Sequence, residues 1–403
     1  MISLLMAVMV AQSPLTEAAW LRPIWDDAGG RLEIAARAYE PAAGGPRVWL
    51  VGVIHVGEPG YYEAVEEILA QSEVVVFESV LPTGGTPPGG EDDSMRAEQT
   101  TATAELLARA LAGTTASDWN GAMRWLTKQE PRMVGIVRTL PRDGWGRAWI
   151  ITPPSDGAVG RIVSWGPDGT IGGDDIVVDI PAEQSEAPGR GLQRTMAESL
   201  DLVFQLDRLP YGTPSWTPGD LSIDEIGAAF AARGERIEDL TDLLEEKGLL
   251  GGLARGIFGM IPTLDAFFGG RVVDTMHVML IEMLGNESTI DLALSMQGPA
   301  FKEVLLDLRN ERAMEVTDAR MARSPGMNSI AVLYGAGHLS GLVELLSQRG
   351  DYEQVDERWL PAITLEVANS PLSRAEIDML RGWSRGFAAW GTAVDRIPST
   401  SDF

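Results

Sequence analysis

Three stretches of the chain concentrate apolar residues without helical spacing. They are Val48–Ile54 (VWLVGVI), Glu73–Val80 (EVVVFESV) and Asn328–Tyr334 (NSIAVLY). Such runs suit strands buried on both faces of a sheet. Between the first two, after Pro59, the residues Tyr61, Val65, Ile68 and Leu69 recur at i, i+4, i+7 and i+8, which predicts a helix. Strand, helix and strand within about 35 residues predict a βαβ unit and hence a parallel sheet.

Further strands are expected at Arg31–Tyr39 and in the last sixty residues, and a terminal helix at Arg374–Ala389. Helices are expected over 95–112, Trp119–Lys128 and Leu339–Arg349. Pro41–Pro46, Pro82–Asp93 and Pro210–Pro218 read as turns or loops from their Pro and Gly content. Residues 147–181 alternate like strands around a turn at Trp165–Gly169 and predict a small β-hairpin insertion. From Leu221 to Arg323 the pattern is mainly helical, and Phe301, Val304, Leu305 and Leu308 trace one stripe. The expected fold is α/β: a mainly parallel core sheet flanked by helices, with a long helical excursion and that insertion. One domain spans 19–365, and 366–403 form a C-terminal helical tail.

Composition narrows the functions. With 32 Lys and Arg against 58 Asp and Glu, the net charge is −26, so nucleic acid and anionic membrane surfaces are poor partners. No Cys is present, which excludes disulfides, zinc–cysteine sites, iron–sulfur clusters and cysteine nucleophiles. No internal apolar stretch is long and uncharged enough to predict a transmembrane helix. Residues 1–18 open with an uncharged apolar run that fits a signal peptide with cleavage near Ala18, but they lack the usual Lys or Arg. Export and a cytoplasmic location both stay open.

Three histidines remain, and two share a setting: Gly52-Val-Ile-His55 and Gly335-Ala-Gly-His338 each follow a predicted buried strand. Glu78 follows the third. Ligands of open parallel sheets sit beyond the carboxyl ends of the strands. Neighbouring strands would therefore gather two imidazoles and a carboxylate. Such a set suits a divalent metal with open positions, or a histidine base oriented by a carboxylate. Gly52 and Gly335 would let a ligand approach the backbone. His277 sits at helical spacing with Val273, Leu280 and Leu284 and reads as a core residue. Glu58 is a second candidate base, or an exposed loop residue. Tyr211, Trp216, Phe258, Phe267 and Phe268 line a groove or belong to the core.

Leu50–Val56, Val74–Glu78, Leu308–Arg312 and Val332–Gly341 together resemble the TraB/PrgY/GumN family, well over 48–80 and 300–350 and loosely over 205–220. That family is grouped with the Tiki proteases and, more distantly, the erythromycin esterases and ChaN haem-binding proteins. The resemblance implies that His55, Glu78 and His338 are signature site residues, holding manganese, cobalt or zinc in a metal-dependent peptide or amide hydrolase. It equally admits a protein that sequesters peptides or small molecules without turnover. A metal-independent esterase with a histidine base is a third possibility. Arg309-Asn310 matches the family's Arg-Asn pair. Arg309 is expected to act as an anion clamp or oxyanion stabiliser, and Asn310 to face elsewhere. A rotated helix would put Arg312 inward instead. Replacing His55 or His338 by Ala is expected to abolish activity and spare the fold.

Overall fold

The computed structural model describes residues 19–90, 92–155, 158–182, 192–235, 259–285 and 299–394. The candidate signal segment, Phe258 and parts of the helical excursion lie outside them. The main sheet has seven strands in the order β1-β2-β3-β11-β5-β10, with β12 paired to β2. The strands are β1 (Leu21–Trp25), β2 (Gly29–Pro41), β3 (Arg47–Val53), β5 (Val74–Phe77), β10 (Trp216–Pro218), β11 (Ser329–Gly335) and β12 (Tyr352–Glu366). β3, β11, β5 and β10 run parallel, whereas β1, β2 and β12 are antiparallel additions. The β3-to-β5 crossover passes through helix Pro59–Leu69 and leaves a gap, which β11 fills from the far end of the chain.

The apolar runs alternate as a period of two requires. Trp49, Val51, Val53, Val75, Phe77, Ala331 and Leu333 enter one core, beneath helices Pro59–Leu69 and Arg271–Leu284. Val48, Leu50, Val76, Ile330, Val332 and Tyr334 enter the opposite core, beneath helices Leu308–Arg323 and Leu339–Gln348. Both faces of the sheet are thereby covered, which is why these runs carry no polar alternation.

Two expectations need correction. The 147–181 region is a three-stranded antiparallel sheet rather than one hairpin: β6 (Ile150–Thr152), β7 (Gly160–Ser164) and β8 (Ile176–Ile180). It packs on helices Asp93–Ala110, Trp119–Gln129 and Pro131–Arg138 around its own core, which includes Leu107, Leu126, Val137 and Ile162. Pro210–Pro218 is not wholly a loop, because Trp216–Pro218 forms edge strand β10, where a proline costs no ladder bond inside the sheet. The tail beyond 366 also joins the main core through Leu372 and Ile377. Arg271 pairs with Glu376, and Arg381 with Glu282 at 2.8 Å. No helix among the described residues is long and apolar enough to cross a membrane.

Candidate functional site

The carboxyl ends of β3, β11 and β5 are level, with Gly335 opposite Val53 and Leu333 opposite Phe77. Glu78 extends this ladder by donating its N–H to the Leu333 carbonyl at 2.9 Å. His338 closes a short 3-10 turn after β11 and opens helix Leu339–Gln348. His55 leaves β3 at the same end and stays exposed. It is near enough to influence the titration of both Glu78 and His338. Strand order thus brings the three sequence-predicted residues to one place.

Arg309 occupies the middle. Its Nε and Nη2 donate to the two oxygens of Asp220 at 2.9 and 2.8 Å, and Nη2 also donates to Glu78 Oε1 at 2.6 Å. Nη1 donates to the Leu305 carbonyl at 3.2 Å and faces His338 Nε2 at 3.5 Å. All five N–H groups of the guanidinium are therefore spent inside the protein. The expected oxyanion role would require it to give one up. Glu78 uses its second oxygen to accept the Gly335 N–H at 2.6 Å. A Cβ at Gly335 would sit only 3.0 Å from that oxygen, so the glycine does serve the site. Gly52 instead serves packing, since a Cβ there would meet Ile34 Cγ2 at 2.8 Å.

Asp220 escaped the sequence reading. It follows β10 as Glu78 follows β5, and it also accepts the N–H groups of Ser79 at 3.1 Å and Leu221 at 2.8 Å. Gly219 makes this possible, because a Cβ there would lie 2.2 Å from Val76 Cγ1. The visible signal was a carboxylate just past a strand, in a segment whose strand is short and proline-ended.

Asn310 does not face elsewhere. Its Oδ1 lies 2.7 Å from His338 Nδ1, and its Nδ2 donates to the His338 carbonyl at 3.3 Å. A π-helical turn, Glu303–Asp307, precedes helix Leu308–Arg323 and breaks the phase of the stripe that begins at Phe301. After it, Arg309, Asn310, Ala313, Met314 and Thr317 share one wide buried face. Arg312 is half-buried beside it and pairs with Glu225 at 2.8 Å. Asn310 needs Gly341, where a Cβ would meet its Nδ2 at 2.4 Å. Gly341→Ala is expected to push Asn310 off His338 and to cost about 1–3 kcal/mol in a denaturant titration. Unchanged stability would show that the amide has room to move.

His55 has its own amide. Its Nδ1 lies 3.1 Å from Gln205 Oε1, and Gln205 donates from Nε2 to the Tyr211 hydroxyl at 2.7 Å. The Gln205 backbone N–H donates to the His55 carbonyl at 2.8 Å, next to the two-stranded pairing of β4 (Val56–Gly57) with β9 (Val203–Phe204). The buried Gln205 was also missed, because a lone Gln carries no sequence signal.

Burial works to raise the Glu78 carboxyl, but His338, Arg309, His55 and the Gly335 N–H outweigh it and hold it at about 2. Burial pushes the His338 imidazole below its ordinary value, and Glu78 opposes this without overcoming it. Burial also works against charge on Arg309, but Glu78 and Asp220 win and lock it cationic.

The remaining candidates lie outside this cluster. Glu58 Oε1 accepts from the N–H and hydroxyl of Thr364, each at 2.6 Å, and so pins β12. His277 is buried with Nε2 2.9 Å from the Leu200 carbonyl. Tyr211 and Trp216 pack edge-to-face in the core with Phe77. Phe267 and Phe268 pair with each other on the surface, Phe267 being 82% exposed.

His55, Glu78 and His338 do not fit a divalent metal in this arrangement. Both Glu78 oxygens are engaged, and a fixed guanidinium lies against His338 Nε2, where it repels a cation. Among the described residues no group of three or more His, Asp or Glu side chains is gathered to hold one. Comparison with family models, curated proteins and solved structures returned no match.

Proposed function

We propose that the chain is a hydrolase of acyl bonds, in peptides, amides or esters, that uses His55 as a general base without a resident metal ion. The observation that supports this is the division of the site into a spent part and an open part. Arg309, Asp220 and Glu78 satisfy one another, and Asn310 is spent on His338. His55 is exposed, and among the described residues its Nε2 has no hydrogen-bond partner. In the proposed reaction, Nε2 takes a proton from water as the water oxygen attacks the carbonyl carbon. The imidazolium then returns that proton to the departing nitrogen or oxygen as the acyl bond breaks. The resemblance to the TraB/PrgY/GumN family, through its Tiki and erythromycin esterase relatives, agrees with hydrolysis.

A second reading, a protein that sequesters peptides or small molecules, draws on the same closed network, because a fully satisfied polar floor also makes a rigid binding surface. Assay of the purified chain on peptide and ester libraries after exhaustive chelation separates the two. The expected result is cleavage that chelation leaves unchanged. Cleavage only on adding manganese, cobalt or zinc overturns the metal-free reaction, and binding without cleavage under every condition favours sequestration.

A further inference from the structure

We infer that Asn310 and Gln205 are positioning residues that each hold one site imidazole as the Nδ1–H tautomer, leaving Nε2 of His338 and of His55 free of protons. The two imidazoles are 283 positions apart in sequence, yet each meets a carboxamide oxygen at Nδ1.

At His338 the carboxamide fixes the proton, and the neighbours of Nε2 are compatible with it. The Asn310 Nδ2 can only donate, and the His338 carbonyl it faces at 3.3 Å can only accept. The amide therefore turns Oδ1 to the ring, and Nδ1 must carry the hydrogen. On the other side, Nε2 faces Arg309 Nη1, which can only donate, at 3.5 Å, and Glu78 Oε1 at 3.6 Å already accepts from Arg309 Nη2, so a lone pair on Nε2 fits these neighbours. Glycine at 341 leaves the space in which Asn310 does this.

At His55 the amide is held by its own backbone and by a phenol. The Gln205 N–H is tied to the His55 carbonyl, and its Nε2 donates to Tyr211. Burial pushes the Tyr211 hydroxyl up, so Tyr211 stays neutral beside the amide. The remaining oxygen, Oε1, faces His55 Nδ1. His277 supplies a contrast inside the same chain: its Nε2 faces the Leu200 carbonyl, which demands the opposite tautomer.

The function proposed above supplies the use, because a general base must present a lone pair. The tautomers themselves can be read whether or not any substrate is turned over. The test uses the full chain labelled with nitrogen-15 in its histidines, whose three rings give a spectrum simple enough to resolve. Long-range proton–nitrogen correlation well above neutral pH is expected to show two Nδ1–H rings and one Nε2–H ring. The His55→Gln variant assigns one of the pair. Asn310→Asp and Gln205→Glu keep an acceptor oxygen and are expected to keep the pattern. Asn310→Leu and Gln205→Leu are expected to shift the matching ring to Nε2–H or to a mixture. An Nε2–H ring at His55 or His338 in the unmodified protein overturns the inference. So does a folded leucine variant that keeps its Nδ1–H ring. If a leucine variant fails to fold, the unmodified spectrum still decides. Two Nδ1–H rings in a chain that cleaves nothing would sink the hydrolase and leave the amide lock standing.

Discussion

Arg309→Leu is expected to destabilise the protein by about 3–5 kcal/mol, the range for removing one partner of a buried charged cluster. The cause is what remains. Glu78 and Asp220 would keep their negative charges in the interior with no cation between them. Urea or guanidinium titration reads the loss as a lower midpoint. Acid should shrink the difference. Glu78 sits below its ordinary value in the native protein, so its stabilisation is complete above about pH 4.5 and is lost as pH falls toward about 2. Without Arg309 the burial of Glu78 pushes the other way, and protonation relieves the variant while it harms the parent. His338, lowered by burial, adds a loss in the parent that begins lower than about pH 6.5. Arg309→Lys keeps the charge without the planar fork and should fall between the two. A midpoint that Arg309→Leu leaves unmoved would show that the cluster does not hold the fold together.

His55→Gln is expected to lower turnover by about 100- to 10,000-fold, the range for removing a general base. Its effect on the unfolding midpoint should stay within about 0.5 kcal/mol, because the side chain is exposed and only its Nδ1 is bonded. His338 behaves differently. It is buried and held by Asn310, so His338→Gln should cost about 1–3 kcal/mol as well as activity. Both variants are expected to stay folded, with the larger loss of stability at His338. Full turnover in His55→Gln would remove the base from the mechanism.

The strand ends explain why so much of the site could be read early. A strand covered on both faces must be apolar at every position, so Val48–Ile54 and Asn328–Tyr334 announce themselves, and whatever polar residue follows them stands at the ligand-bearing edge. His55, Glu78 and His338 were visible for that reason. Asp220 was not, because β10 has three residues and ends in Pro218. Gln205 was not, because its partner is 150 positions away and the pairing that brings it there joins two-residue strands. The facing of Asn310 was misjudged, while that of Arg309 was not, because a single π-helical turn resets the helical phase and nothing in the residue types of Glu303–Asp307 marks it.

The chain alone determined the parallel core, its buried strands and the three polar residues at their ends, since solvent exclusion writes itself into local composition. Only the tertiary structure decided what those residues do. The insertion of β11 between β3 and β5 puts His338 beside Glu78, where the Arg309 guanidinium meets a second carboxylate, Asp220, from a segment with no pattern of its own. Charge acts through space and falls with distance, so the chemistry of the cluster depends on distances that no spacing along the chain encodes.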